Sequence, residues 1–164
     1  MTSMGLLALY DNALPDVYGY LLHRCRDVTT AQDLTSETFL AAAKTVADGS
    51  ATPLTIPWLI GVARHKLLDH WRRQAREERW LSTVGEPETD DPWSETLLDG
   101  RATEALASLG PHHRAALTLR YVDDLPVRQV TELMERTEHA TEALLVRARR
   151  AFRRAYEKGA DDGD

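Results

Sequence analysis

A helix-forming stretch from Pro57 to Arg79 constrains the fold of this chain more than any other feature of its sequence. It contains no proline or glycine after Gly61. Pro57 suits the first turn of a helix, where its missing N–H has no intrahelical partner. Apolar residues recur along the stretch at helical spacing, namely Leu59, Ile60, Ala63, Leu67 and Trp71. The sequence therefore predicts a long amphipathic helix that buries one face.

The far end of this stretch is cationic. After Trp71 it carries four arginines, Arg72, Arg73, Arg76 and Arg79. A helix that is apolar on one side and cationic at one end can dock on a polyanion. Basic helix ends are also common on solvated surfaces, so this stretch alone leaves both interpretations open.

The net charge of −6 over 164 residues conceals two cationic segments. Residues 64–79 hold six basic against three acidic residues, and residues 144–158 hold six basic against one acidic. Between them, residues 80–99 hold six acidic residues and no basic one. Because local field decides whether a polyanion is attracted, the acidic average does not exclude binding to nucleic acid.

Composition argues against a membrane or secreted protein. No run of about 18 apolar residues and no secretory signal is visible. Cys25 is the only cysteine, so neither an internal disulfide nor a cysteine zinc site can form. The adjacent His112 and His113 point about 100° apart on a helix and have no clustered partners. We expect a cytoplasmic protein without catalytic residues, metal or cofactor, and without membrane insertion.

Two further helices are predicted before the organising stretch. The first spans about Met4 to Arg26, with Pro15 kinking or splitting it. The second starts at Thr29, which has capping-box spacing to Gln32, and runs to about residue 46. One of its faces is largely acidic with one large aliphatic residue, and carries Asp33, Glu37, Leu40 and Lys44. That face is either an ordinary solvated surface or a docking surface for a basic partner helix.

The organisation into two domains follows from residues 80–99. This segment has glycine, prolines and acidic residues but no apolar period, which is typical of a flexible linker. The predicted fold is all-α: a helical domain over residues 1–79, the acidic linker over 80–99, a helical domain over 100–158, and an acidic tail over 159–164.

The second domain has the pattern of a helix-turn-helix. A short helix ends at Gly110, and a second opens at Pro111. Pro126 opens another short helix, a tight turn follows, and Thr137 is a plausible N-cap for a long amphipathic helix with arginines opposite its apolar arc. A plain helical hairpin in a bundle would show the same pattern.

Three segments in this order resemble the sigma factors of bacterial RNA polymerase. They read AQDLTSETFLAAAKTV, PWLIGVARHKLLDHWRRQ, and ALASLGPHHRAALTLRYVDDLPVRQVTELM continued by ALLVRARRAF. They are similar to the polymerase-binding helix, the minus-ten helix and region four, which reads the minus-thirty-five element. Having only regions two and four is typical of the extracytoplasmic-function (ECF) group of the sigma-70 family.

The resemblance implies a function and partners. The chain would bind core RNA polymerase, through the clamp of the largest subunit and the flap of the second-largest, and direct promoter-specific transcription initiation. Promoter DNA is the second partner, and an anti-sigma factor is a third. The polymerase, not this chain, would do the bond chemistry.

The resemblance also implies site residues. Asp33, Ser36 and Glu37 match polymerase-contacting positions, and Leu40 shares their face. The expected minus-ten contacts are Gly61, Arg64, His65, Asp69, Arg72 and Arg73, with residues 48–55 as a candidate lid over an unstacked base. The expected minus-thirty-five contacts are Arg120, Thr137, His139, Glu142, Ala143, Val146, Arg147 and Arg150.

Several residues depart from the family pattern. The family often has a basic residue at the position of Gly61 and asparagine at that of His65, and usually glycine at that of Glu135. Glu138 and Glu142 make the start of the last helix acidic. These departures leave the class intact and put the promoter sequence in question.

Two other functions fit a helix-turn-helix chain. A stand-alone regulator would bind operator DNA without polymerase, and it would need a dimerisation helix or ligand pocket, which the sequence does not show. A helical adaptor that sequesters another regulator would support no promoter-dependent transcription.

Overall fold

The computed structural model of this chain describes residues 3–50, 52–80 and 100–161, and within them every regular element is helical. The elements in chain order are α1 (Ser3–Cys25), α2 (Val28–Ala47), α3 (Ile56–Trp80), α4 (Gly100–Ala107), α5 (Pro111–Leu117), a π-helical turn (Thr118–Val122), α6 (Val127–Leu133) and α7 (Glu138–Asp161). The predicted all-α fold class is confirmed.

The chain divides into two compact units, Met1–Leu67 and Leu68–Asp164, so that α3 contributes to both. The predicted linker lies outside the described residues except for Trp80, the last residue of α3. α7 continues to Asp161 and takes in the start of the expected acidic tail.

In the first unit α1 packs along α2. α1 runs through Pro15 as one continuous helix, so of the two predicted effects of this proline the split does not occur. Pro15 lies on the exposed side of the helix, where water can satisfy the carbonyl that its ring deprives of a partner. Val17 and Leu21 are fully buried in this unit, and Cys25 is buried with them.

The ends of α2 are fixed by local hydrogen bonds. The N-cap is Asp27, whose carboxylate accepts from the Thr30 N–H at 3.2 Å, so the predicted capping box at Thr29 and Gln32 is wrong by two residues. At the other end Gly49 adopts φ 72° and closes a Schellman motif, with Ser50 N–H donating to the Thr45 carbonyl.

α3 begins beneath a threonine cap, because the Thr55 hydroxyl accepts from the Trp58 N–H at 3.2 Å. Its apolar stripe is buried as predicted except at one position: Leu59, Ala63, Leu67 and Trp71 are buried, whereas Ile60 is half-buried. Trp58, next to this stripe, is half-buried. Leu54, in the loop before the helix, is buried, which anchors the candidate lid at its C-terminal end.

In the second unit α4, α5 and α6 each pack on α7. α7 buries Thr141, Leu144, Leu145 and Ala148. α4 buries Thr103 and Ala105, whereas Leu106 is half-buried, as is Leu109 just after the helix. α5 gives way to the π-helical turn, which buries Thr118 and Leu119.

The turn between α6 and α7 is a second Schellman motif. The Arg136 N–H donates to the Thr131 carbonyl at 3.2 Å, and the Glu135 N–H donates to the Glu132 carbonyl at 3.2 Å. Glu135 occupies the left-handed position at φ 54°, which glycine adopts at lower cost. The α6–turn–α7 segment is thus a helix-turn-helix whose turn holds a strained residue.

Candidate functional site

The outward face of α2 brings together the residues predicted to bind polymerase. The buried face of the helix is set by Leu34, Thr38 and Ala42. Asp33 and Ser36 are exposed on the opposite side, Glu37 is half-buried, and Leu40 has 68% of its surface exposed. A leucine so exposed beside carboxylates is suited to a partner that offers both an apolar pocket and basic groups.

The predicted minus-ten residues on the first half of α3 share the face opposite its buried stripe. His65 is exposed, and Arg64 and Gly61 are half-buried. A Cβ added at Gly61 would meet no atom within 4 Å, so the bare backbone there lies in open space. This part of α3 therefore presents a surface that another molecule can approach closely.

Further along α3, in the second unit, the two predicted arginines differ. Arg73 is exposed. Arg72 donates to the Asp69 carboxylate at 3.0 Å and also hydrogen-bonds the Leu133 carbonyl at the end of α6. Its guanidinium lies 4.0 Å from the exposed Glu135 carboxylate, and an ion pair open to solvent on one side is worth less than about 1 kcal/mol. Arg72 therefore has partners within the protein that any DNA phosphate must replace.

Thr137 caps the N-terminus of α7. Its hydroxyl accepts from the Ala140 N–H at 3.1 Å, so the predicted N-cap is confirmed. Because Thr141, Leu144 and Ala148 face inward, the opposite side of α7 is left to solvent. That side carries the predicted minus-thirty-five set: His139, Glu142, Val146, Arg147 and Arg150 are exposed and Ala143 is half-buried.

Arg120 and Tyr121, in the π-helical turn, make hydrogen bonds next to the helix-turn-helix. Arg120, predicted to contact DNA, donates to the Leu125 carbonyl at 3.2 Å and so fixes the turn that leads into α6. The Tyr121 hydroxyl accepts from Arg149 at 3.1 Å. Sequence patterning missed Tyr121 and Arg149 because they lie 28 positions apart and neither follows an apolar period.

The pKa of His113, on α5, is affected by a charged residue of α7. Burial lowers the pKa of His113 below its usual 6.5, and the positive charge of Arg147 lowers it further. Both effects favour the neutral form of the imidazole over the protonated form. The neighbouring His112 does not join it in a metal site, and residues 3–50, 52–80 and 100–161 hold no cluster of three His, Cys, Asp or Glu suited to a metal ion.

Among the helices of the described segments, none has both the length and the apolar character that crossing a membrane requires.

Comparison with known proteins identifies the two halves. Residues 9–77 match the family Sigma-70 region 2, and residues 100–152 match Sigma-70, region 4. The chain is 31% identical over 153 residues to the ECF RNA polymerase sigma factor SigL of Mycobacterium tuberculosis, covering 89% of this chain and 85% of SigL. It is 27% identical over 163 residues to SigM of Bacillus subtilis, another ECF sigma factor, covering 97% of this chain and 99% of SigM.

A solved structure shows the same fold. The sigma factor RpoE of Bartonella quintana, crystallised in complex with the anti-sigma factor NepR, matches 93% of this chain and 97% of its own with a TM-score of 0.61. Its sequence identity to this chain is 17%.

These matches decide between the functions that a helix-turn-helix alone left open, since an operator-binding regulator and a helical adaptor would not carry both sigma regions in this order. The chain belongs to the ECF group of the sigma-70 family, which makes it an initiation factor that binds core RNA polymerase and directs promoter-specific transcription.

Proposed function

We propose that three separate helix faces divide the work of this sigma factor. The outward face of α2, with Asp33, Ser36, Glu37 and Leu40, docks on the clamp of the largest polymerase subunit. The acidic side chains suit a basic partner, and Leu40 supplies the apolar area that lies unburied in the free chain. The second domain meets the flap of the second-largest subunit.

The exposed face of α3 engages the minus-ten element. Gly61, Arg64, His65 and Asp69 meet the separated non-template strand, and Arg72 and Arg73 hold its phosphates. A single strand is bound by a cationic surface together with a pocket for an unstacked base. The loop over residues 48–55, anchored by the buried Leu54, covers that base.

α7 enters the major groove of the minus-thirty-five element. Helix-turn-helix proteins read bases with the N-terminal part of the second helix, which here is the part that carries His139, Glu142, Ala143 and Val146. Arg147 and Arg150 lie farther along and contact phosphates. Thr137 and Arg120 act at the backbone through the turns that they build.

The remaining assignments follow from this division. Residues 1–79 and 100–158 are the two functional domains, the linker over 80–99 lets each reach its promoter element, and residues 159–164 are a tail. The chain acts in the cytoplasm, where polymerase and DNA are, and catalyses no bond chemistry itself. An anti-sigma protein holds it inactive, as the complex of Bartonella RpoE suggests.

The exposure of Leu40 carries the polymerase assignment and gives its test. Leu7, on α1, is exposed to 65% and serves as a matched control. Leu40→Ala should weaken binding to core polymerase about tenfold or more, as expected when an interface residue is a hot spot. Leu7→Ala should leave binding unchanged, and circular dichroism should show both variants folded. Equal affinities for Leu40→Ala and the unaltered chain would remove α2 from the interface.

A further inference from the structure

The outward stripe of α7 has an unusual chemistry for a DNA-facing surface. Over its first turns it presents two carboxylates, one imidazole and an aliphatic side chain, from Glu138, His139, Glu142 and Val146, and the arginines begin only at Arg147. Glu142 is exposed, with its carboxylate on the side of α7 that faces solvent. Val146 is exposed to 39% although it is aliphatic. Neither side chain contributes to the packing of α7 in the way that Leu144 or Ala148 does.

The geometry of the helix puts these two residues on one line. Residues four apart differ by about 40° around an α-helix and by about 6 Å along it. Base pairs are stacked about 3.4 Å apart, so Glu142 and Val146 face base pairs about two steps apart when α7 lies along the groove. The buried Thr141 and Leu145 fix the rotation of α7, which keeps both side chains on the exposed side.

The major-groove edges of the bases determine what each side chain accepts. Cytosine presents only a donor, its N4 amino group, whereas guanine and thymine present acceptors and adenine pairs its donor with the acceptor N7. A carboxylate is repelled by acceptors, so Glu142 favours cytosine. Thymine alone adds a methyl group, the natural partner of the Val146 side chain.

Resting on the proposed entry of α7 into the major groove, we propose that this sigma factor selects an upstream element with a cytosine opposite Glu142 and a thymine methyl about two base pairs away opposite Val146. The arginines that follow hold phosphates and do not read sequence at these two positions. The acidic start of α7 is then a source of specificity, and its repulsion of phosphates is offset by the cationic half of the same helix.

The test is transcription by holoenzyme, reconstituted from core polymerase and the full chain, on templates randomised across the upstream element. Sequencing of the transcribed templates gives the base preference at each position. The unaltered chain should enrich cytosine at one position and thymine about two base pairs away, each about 5- to 150-fold over the disfavoured bases.

Substitutions then assign each preference to its residue. Glu142→Ala should flatten the cytosine preference alone, and Glu142→Gln should shift it towards adenine, which offers a donor and an acceptor to an amide. Val146→Ser should flatten the thymine preference alone. Glu157→Gln is the charge-matched control, since Glu157 is exposed on α7 about 22 Å farther along, and it should change neither position.

Each outcome bears on a defined claim. If the unaltered holoenzyme enriches an upstream element but Glu142→Ala and Val146→Ser leave its preferences unchanged, the inference is wrong and the proposed function stands. If the unaltered holoenzyme initiates without any preference upstream, the proposed role of α7 and this inference both fail. Circular dichroism checks that the exposed substitutions leave α7 folded.

Discussion

Gly61 offers a test that couples the stability of α3 to its proposed contact with DNA. Gly61 lies inside α3, and a Cβ added there would meet nothing within 4 Å. Glycine in a helix interior is about 0.8–1.0 kcal/mol less favourable than alanine, and arginine is close to alanine. Gly61→Arg should therefore stabilise the first unit by about 0.7–1 kcal/mol, which raises the Tm of a domain of this size by roughly 3–8 °C.

The same substitution adds a cation to the face proposed to hold the minus-ten strand. Each phosphate neutralised steepens the dependence of log K on log salt by about 0.7 for single-stranded and 0.9 for duplex DNA. Holoenzyme binding to a promoter fragment, measured across salt concentrations, should therefore show a slope steeper by about that amount. The same promoter fragment is used for every variant, so the slopes can be compared without knowing which bases are recognised.

Gly19 is the matched control. It also lies inside a long helix, α1, and a Cβ there would likewise meet nothing within 4 Å. Gly19→Arg should raise the Tm by a similar amount and leave the salt slope unchanged. If both variants steepen the salt slope equally, the proposed contact between this face of α3 and DNA is wrong. If Gly61→Arg lowers the Tm, the helix-propensity reasoning is wrong.

Three further outcomes are expected from the structure. Glu135→Gly should raise the free energy of unfolding by up to about 1 kcal/mol, because glycine adopts the left-handed φ of 54° without strain. Gly49→Ala, at the equivalent position of the other Schellman motif, should lower it by about 1 kcal/mol. Chemical denaturation measures both changes, and changes of the same sign would contradict the reasoning. Thr137→Ala should cost about 1 kcal/mol and speed hydrogen exchange at the Ala140 amide, whereas Thr137→Ser should restore protection; unchanged exchange in Thr137→Ala would mean that the hydroxyl does not cap α7. Because burial and Arg147 lower the pKa of His113 in the folded state, the unfolded chain binds the proton more readily. The free energy of unfolding should therefore be highest above about pH 6.5 and fall as the pH drops towards the folded pKa. Denaturation across this range should show a smaller fall in His113→Gln, and an identical profile would exclude His113 as the cause.

The long helices could be predicted from the sequence because periodicity and terminal residues agree. α3 runs from Ile56 to Trp80 where the pattern gave Pro57 to Arg79, and Thr137 caps α7 as expected. Local competition explains the error at the start of α2, since Asp27 stands two residues before the threonine that the capping-box spacing selected. Helix ends are commonly uncertain by one or two residues.

Other features depend on residues far apart in the chain, which no local pattern reveals. The place of Arg72 in a basic run predicted a contact with DNA, which stays a prediction, but did not reveal that its guanidinium also hydrogen-bonds a carbonyl 61 positions away. Arg120, predicted to contact DNA, also donates to the Leu125 carbonyl just after the π-helical turn. The sequence did not predict this turn, because a π-helical turn adds a residue to the helical repeat and leaves no apolar pattern. The outward faces of α2 and α7 were predictable because buried residues on their other sides fix their rotation.

Start-site mapping in a reconstituted reaction tests the central claim most directly. Core RNA polymerase with and without the full chain would transcribe a library of bacterial promoter fragments, and the RNA 5′ ends would be sequenced. We expect discrete start sites that appear only with the chain and that share two elements upstream at a constant spacing. Transcripts whose start sites are the same with and without the chain would contradict the account.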